Sequence, residues 1–304
     1  MRGLTNPNLI QFLACPDCGG EIRELPNCLQ CASCSTEYEI RNGIPLLYSK
    51  KMDFAHMREE ENLAGMMKSA RLNAKERFSA DQWAISKREF WSMVQRLAPP
   101  SPQAYINIGC GFDDKFRDLE RQGNTFVNFD MIYDMLFDLQ RTAGAKSCVG
   151  GDLNHLPFKK GTFDYVVSID VIHHENENLP QLLQSFRDLL KPGGTLFLED
   201  PNAWGLFQMS KSIFLPKRLY RFLRSQYHRL KRSEHRPADY EFPTNVWRVM
   251  SILKQLGFRE IVAYPHTAYP SIGESSYRFY KLFSRFEFVR RYHNYHYMLS
   301  AARG

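Results

Sequence analysis

No apolar run in the 304-residue chain approaches the length of a membrane span. The opening stretch, MRGLTNPNLIQFLACPDC, has no apolar signal region ahead of its first cysteine, so cytoplasmic residence is the expectation. Internal repeats and low-complexity tracts are also missing, which excludes solenoid and fibrous architectures. No charge sign dominates strongly. A formal net charge of +7 is mild for this length and favours anionic partners without marking a nucleic-acid binder. The glycine-rich stretch YINIGCGFDDKF, residues 105–116, lacks two further things. It has no third glycine, since Asp113 and Asp114 stand there, and no Lys-Ser/Thr follows it. A P-loop needs that lysine for its phosphates. A dinucleotide pyrophosphate needs a helix N-terminus free of competing carboxylates. Both phosphate ligands are therefore disfavoured.

What the chain has is a cluster of thiols. Five of its seven cysteines fall between 15 and 34. Cys15-x2-Cys18 is followed by Cys28-x2-Cys31-x2-Cys34. Two C-x2-C turns about a dozen residues apart can present four thiolates to one zinc ion. Five cysteines compete for four places. Ala32 and Ser33 are small enough for a tight knuckle, whereas Leu29-Gln30 is bulky and suits a strand. The expected ligands are Cys15, Cys18, Cys31 and Cys34, with Cys28 spare. Four thiolates close the coordination shell, so the metal's expected role is to fold a segment too small to fold alone. The strand-like stretches EIREL and TEYEI, with turns at Pro26-Asn27 and Asn42-Gly43, surround the cysteines. On CPDC, LQCASC and YEIRNGIPLL, roughly residues 10–48 resemble the small zinc ribbon of the tRNA-methyltransferase-activator type.

Residues 52–98 are charged and helical in pattern, and APPSP at 98–102 stops that pattern. Beyond it short apolar strands alternate with helices, which predicts a parallel α/β sheet with helices on both faces. Domains are expected at 1–50 for the ribbon, 51–100 for a helical linker or lid, and 101–304 for the α/β unit. A basic helical insertion is expected at about 205–243 within that last unit.

In an open α/β sheet the ligand sits beyond the carboxyl ends of the strands, here at Gly109 and Gly111. S-adenosylmethionine has no phosphate and carries a sulfonium and an ammonium, so carboxylates near the turn suit it. Asp130 ends the second strand about twenty residues after the glycines, a spacing that suits a carboxylate accepting from ribose hydroxyls. Asp152 in VGGDLNHLPF follows the third strand, where it could meet the adenine amino group.

On INIGCG, NFD, GGDLNHLPF, FDYVVSIDVIHH and LLKPGGTLFLED, in order and at the right spacing, residues 102–200 resemble a class I S-adenosylmethionine-dependent methyltransferase. The subgroup resembled is the ubiquinone-biosynthesis type that acts on small molecules. The resemblance implies a Rossmann-like seven-stranded sheet ordered 3-2-1-4-5-7-6 with its last strand antiparallel. It also implies cofactor contacts at Gly109, Gly111, Asp130, Met131, Asp152, Leu153 and Asp170. The family usually has a carboxylate at position 107 beside the methionine ammonium. Asn107 keeps the acceptor oxygen and loses the charge.

His173 and His174 follow the fourth strand on the ligand side, with Asp170 and Glu175 near. An imidazole there suits a base for a hydroxyl acceptor, His174 ahead of His173. The bland alternative is a histidine that packs on the cofactor or caps the next helix. His155 reads as structural. The leading function is methyl transfer to a hydroxyl or amine of a sugar, lipid-linked or secondary-metabolite acceptor. An RNA methyltransferase gripping through its ribbon is the alternative. Against it, the ribbon between Cys15 and Ile40 holds Asp17, Glu21, Glu24, Glu37 and Glu39 against Arg23 alone. A non-catalytic binding module is a third reading. From Lys211 to Arg236 nine Lys or Arg face one acid, Glu234. Leu219, Phe222, Leu223 and Tyr227 fall there at helical spacing. That stretch suits a lid over an anionic acceptor or contact with an anionic membrane surface, or a solvated basic helix.

Overall fold

The computed structural model describes residues 3–52, 57, 74–99, 102–114, 117–206, 208–209, 243–269 and 274–304. The basic stretch from Lys211 to Arg236, with its apolar stripe, lies outside the described residues. So does most of the linker between the ribbon and residue 74.

The cysteine-rich segment forms β1 (Ile22–Glu24), β2 (Cys28–Cys31), β3 (Glu37–Arg41) and β4 (Ile44–Leu47), paired antiparallel in sequence. Helix α1 (Ala74–Leu97) follows. The α/β unit then runs β5 (Ala104–Ile108), α2 (Arg117–Arg121), β6 (Thr125–Asp130), α3 (Tyr133–Asp138), β7 (Cys148–Gly151), β8 (Phe163–Ile169), α4 (Leu179–Leu189) and β9 (Leu190–Pro201). It closes with α5 (Val246–Gln255), β10 (Phe258–Tyr264), α6 (Glu274–Tyr280), α7 (Glu287–Tyr292) and β11 (His296–Arg303). The described strands make one sheet ordered β1-β2-β3-β4-β7-β6-β5-β8-β9-β11-β10. From β7 to β10 this is the expected 3-2-1-4-5-7-6 order, with β11 antiparallel to β9.

The central strands are buried on both faces and read as continuous apolar runs, as parallel strands between helices must. Alternate residues serve two cores. Ile106, Ile108, Val127, Val166 and Leu196 face one way. There α4 buries Leu182, Leu183, Phe186 and Leu189, at the three- and four-residue spacing of one helix stripe. Tyr105, Phe126, Tyr165, Val167 and Phe197 face the other way, under Phe90, Trp91 and Val94 of α1. Asn245 caps α5, its side-chain oxygen accepting from Trp247 N at 2.9 Å.

The sequence LKPGG reads as a turn before the fifth strand, but β9 already begins at Leu190. Phe163 pairs with Leu190 and Tyr165 with Thr195, so Lys191–Gly194 bulge out of the ladder. Gly193, at φ +76°, supplies the left-handed residue.

The ribbon's last strand is not free-standing. Leu46 and Leu47 pair parallel with Gly150 and Gly151 of β7, extending the sheet. A Cβ on Gly150 would lie 2.6 Å from Leu46 Cδ2, so a side chain there would have to displace the end of the Leu46 side chain. Leu9, Leu13, Ile22, Leu29 and Tyr38 share one buried cluster with the strands and helices of the α/β unit. Among the described residues no helix is long and apolar enough to cross a membrane.

Candidate active site and metal centre

The ligand end of the sheet is set by β5 and β6. Gly109 and Gly111 turn the chain at φ +67° and +51°. A side chain at Gly109 would also collide with Val171, 2.3 Å from the added Cβ. The turn closes onto Asp130: Gly111 N donates to Oδ2 at 2.8 Å and Ile132 N to Oδ1 at 2.9 Å. Asp130 is buried. Burial pushes its carboxyl above the usual range, against these backbone donors, which favour the charged form.

Asn107 and Asn128 stand opposite one another in register, both buried under α1, and neither amide has a hydrogen-bond partner. Unsatisfied buried amides are costly and mark a place built to receive something polar. Asn107 Oδ1 is an acceptor that fits the ammonium of a methionine moiety.

Asp113, which replaces the third glycine, is buried and turned to α1. Trp91 Nε1 donates to its Oδ2 at 2.9 Å, and Lys87 Nζ lies 3.8 Å away. The carboxylate that would repel a pyrophosphate thus ties α1 over the loop. Sequence reasoning did not assign Trp91 or Lys87. They sit 22 and 26 positions upstream, in a helix whose local pattern says nothing of its partner.

Asp152 is buried and accepts from Asn154 N at 3.0 Å, and His155 Nδ1 lies 2.6 Å from its other oxygen. Met131 is tied to the ribbon through its carbonyl, which accepts from Tyr48 Oη at 2.9 Å. Leu153 packs against the main core. Asp170 ends β8 in the left-handed region at φ +60°, its N–H bonded to the Glu199 carbonyl at 2.8 Å.

His173 and His174 lie in the one-turn 3-10 segment Ile172–Glu175, ring centroids 4.2 Å apart. His173 is the more buried, with Nδ1 3.0 Å from Asp200 Oδ1 and 3.9 Å from Asp170. Asp200, fully buried at the end of β9, also accepts from Thr244 Oγ1 at 2.6 Å. In the sequence Asp200 reads only as the end of a strand, because nothing local reveals a partner 27 residues away.

In the ribbon the Sγ atoms of Cys15, Cys18, Cys31 and Cys34 all lie within 4.8 Å of one another. Cys15–Cys34 are 3.7 Å apart and Cys18–Cys31 3.5 Å. Four sulfurs about 2.3 Å from a zinc ion lie about 3.8 Å apart, so the cluster has the size of a tetrahedral site. Ser33 N and Cys34 N point at Cys31 Sγ, at 3.4 and 3.5 Å, forming the expected knuckle. Cys28 faces Glu39 across β2–β3 and is not part of the cluster.

The sheet order, the glycine turn and the carboxylate ending β6 define an α/β methyltransferase fold. Residues 106–198 match the family model described as a methyltransferase domain. An Encephalitozoon cuniculi protein named as a methyltransferase is 29% identical over 143 residues, 44% of this chain and 61% of that protein. Phosphoethanolamine N-methyltransferase 1 of Zea mays is 31% identical over 122 residues, 38% of this chain and 24% of that one. The chain thus spans less than two thirds of the length of these relatives. Among solved structures, Haemonchus contortus phosphoethanolamine N-methyltransferase 2, bound to phosphomonomethylethanolamine and S-adenosylhomocysteine, superposes with a TM-score of 0.50. It is 16% identical, with 79% of this chain and 60% of that one covered. A methyltransferase of Archaeoglobus fulgidus covers 75% of this chain and 97% of its own at 17% identity, TM-score 0.48. At such identities the likeness concerns the fold.

Proposed function

We propose that the protein is an S-adenosylmethionine-dependent methyltransferase that acts on a small molecule with a hydroxyl or amine acceptor. The observation that carries this reading is the glycine turn closed on buried Asp130, with Asp113 withdrawn to α1 and no phosphate-binding lysine present. The residues present fit the cofactor. Asp130 would take the ribose, Asp152 the adenine side, and Asn107 the ammonium, with Gly109, Gly111, Met131, Leu153 and Asp170 lining the rest. When bound, the cofactor supplies a methyl group on a good leaving group. The chain's own task is therefore alignment and exclusion of water.

For a hydroxyl acceptor, His173 has the geometry of a base. Its Nδ1–H donates to Asp200, which fixes the tautomer and makes Nε2 the nitrogen that accepts the proton. His174, whose ring centroid lies 4.2 Å from that of His173, would line the acceptor side. The relatives named for phosphoethanolamine make an amine acceptor equally compatible. An amine would reach the site unprotonated and need no more than a proton sink.

A zinc ion held by Cys15, Cys18, Cys31 and Cys34 would be structural, because no position remains for water or substrate. The acidity of the ribbon supports a small acceptor over RNA. Calorimetric titration with S-adenosylmethionine tests the cofactor, with micromolar binding expected that Asp130→Ala weakens. Mass spectrometry of cell extract incubated with methyl-labelled cofactor tests the acceptor. Labelled product confined to the ribonuclease-sensitive fraction would overturn the small-molecule reading.

A further inference from the structure

A cavity of about 490 Å³ opens between α1 and the β10 edge of the sheet. A volume of that order suits a small-molecule ligand. Arg88, Ser92 and Arg96 follow one another at four-residue intervals along α1, on the stripe that borders it. Arg290 of α7 lines the other side, its Nε buried without a hydrogen-bond partner. A guanidinium N–H out of water with nothing to donate to is costly, and it is satisfied by an incoming oxyanion.

Among the described lining residues Glu89 is the acid. Its carboxylate is already committed to Thr267, which donates to it from both N and Oγ1. Among the described lining residues, three guanidiniums against one carboxylate leave an excess of two positive charges. A phosphate monoester, close to a dianion at neutral pH, matches that excess, whereas a carboxylate supplies half of it. The floor is apolar, with Met93 and Met298 buried and Ile85 beside them, so the ester's organic part meets hydrocarbon.

The cavity shares none of its described lining residues with the proposed methyl-transfer centre. Met298 pairs with Glu199 across β9–β11, and Glu199 belongs to a buried polar cluster with Ser86, His266 and His296.

We propose that this cavity is a binding site for a phosphate monoester with an apolar organic group, held by Arg88, Arg96 and Arg290. The ligand is either a free metabolite or a lipid headgroup, since the phosphate chemistry is shared. The site needs no S-adenosylmethionine, so its test is independent of the proposed reaction.

Calorimetry on the full-length protein without cofactor uses three probes: inorganic phosphate, butyl phosphate and pentanoate. Butyl phosphate should bind tightest, because it alone offers both the dianion and the apolar arm. Arg88→Ala and Arg96→Ala lie on an exposed stripe and should each weaken it about tenfold, the effect of one charged hydrogen bond. Arg290→Lys should weaken it too, because a point charge loses the fork. A second arm sediments the protein with phosphatidylcholine vesicles containing phosphatidic acid. Arginine-dependent sedimentation there also supports the site and assigns a lipid source. Butyl phosphate binding unchanged in the Arg88→Ala/Arg96→Ala double variant would overturn the proposal. So would pentanoate binding as tightly as butyl phosphate, or no binding in either arm.

Discussion

Asp130 and Asp113 have the same side chain, both buried within the same loop system, and opposite tasks. Asp130 accepts two backbone N–H bonds that fix the turn, and its oxygens keep lone pairs for a ribose. Asp113 gives its carboxylate to Trp91 and Lys87. Asp130→Ala is therefore expected to weaken cofactor binding by about 1.5–3 kcal/mol, the range for hydrogen bonds to a charged group. Unchanged affinity on titration would place the ribose carboxylate elsewhere. Trp91→Phe should leave the cofactor pocket chemically intact while removing a buried donor. The expected cost is about 1–3 kcal/mol of stability, read as a lower melting temperature in the absence of cofactor. The histidines divide similarly. His173→Ala should lower kcat with little change in cofactor affinity, and it should remove the acidic limb of the pH–rate profile. A profile unchanged in shape would return His173 to a packing role.

Helix α1 is the element on which these contacts converge. One side reaches the glycine loop through Lys87 and Trp91, and another, through Ser86, reaches a fully buried group around Glu199. His266 and His296 both bond that carboxylate. Burial opposes its charge, yet the two imidazoles prevail and hold Glu199 well below its ordinary 4.5. For His266 burial likewise opposes the charged form, and Glu199 raises it above its ordinary 6.5. A depressed carboxyl stabilises the fold above its unfolded value and is lost as pH falls below it. A raised imidazole stabilises below its unfolded value and is lost as pH rises through the folded one. Both contributions are complete between 4.5 and 6.5. The melting temperature should peak in that window and fall on the alkaline side as His266 loses its proton. Glu199→Gln should lower the peak and flatten the alkaline decline. A decline equally steep in the variant would locate the titration elsewhere.

None of this cluster was legible in the sequence. Ser86, Glu199, His266 and His296 are scattered over more than two hundred positions, and each alone reads as an ordinary polar residue in an amphipathic element. The glycine turn, the carboxylate ending β6, the strand order and the two cysteine knuckles were legible, because each is a local spacing with a local physical cause. What the sequence reading could not reach was the set of partners: α1 for Asp113, Asp200 for His173, and β7 for the ribbon's last strand.

At the scale of the whole molecule, that last pairing decides how the protein should respond to loss of the zinc proposed for its four cysteines. β4 continues the sheet through β7, and Leu13, Ile22, Leu29 and Tyr38 belong to the same core as Phe129 and Phe163. Tyr48 Oη reaches the Met131 carbonyl beside Asp130, and Asn42 Nδ2 donates to Tyr133 Oη at 2.7 Å. A ribbon that merely hung on the end of the chain would lose its zinc and unfold alone. Here unfolding would strip hydrocarbon from the shared core, expose the β7 edge, and release the loop that frames the cofactor. Metal binding is folding free energy for such small units, so its loss should be felt by the entire sheet. Replacing Cys15, Cys18, Cys31 or Cys34 with serine, or stripping the metal with a strong chelator, should lower the temperature of a single unfolding transition and weaken S-adenosylmethionine binding. Cys28→Ser should do neither, and elemental analysis should find one zinc per chain in it. A chelated protein with two separate transitions, the second at the original temperature and cofactor affinity intact, would show the ribbon to be an independent module. In a single coupled sheet, loss of the proposed metal at one edge would reach Asp130 through β4, β7 and β6, three strands that hold one another in register.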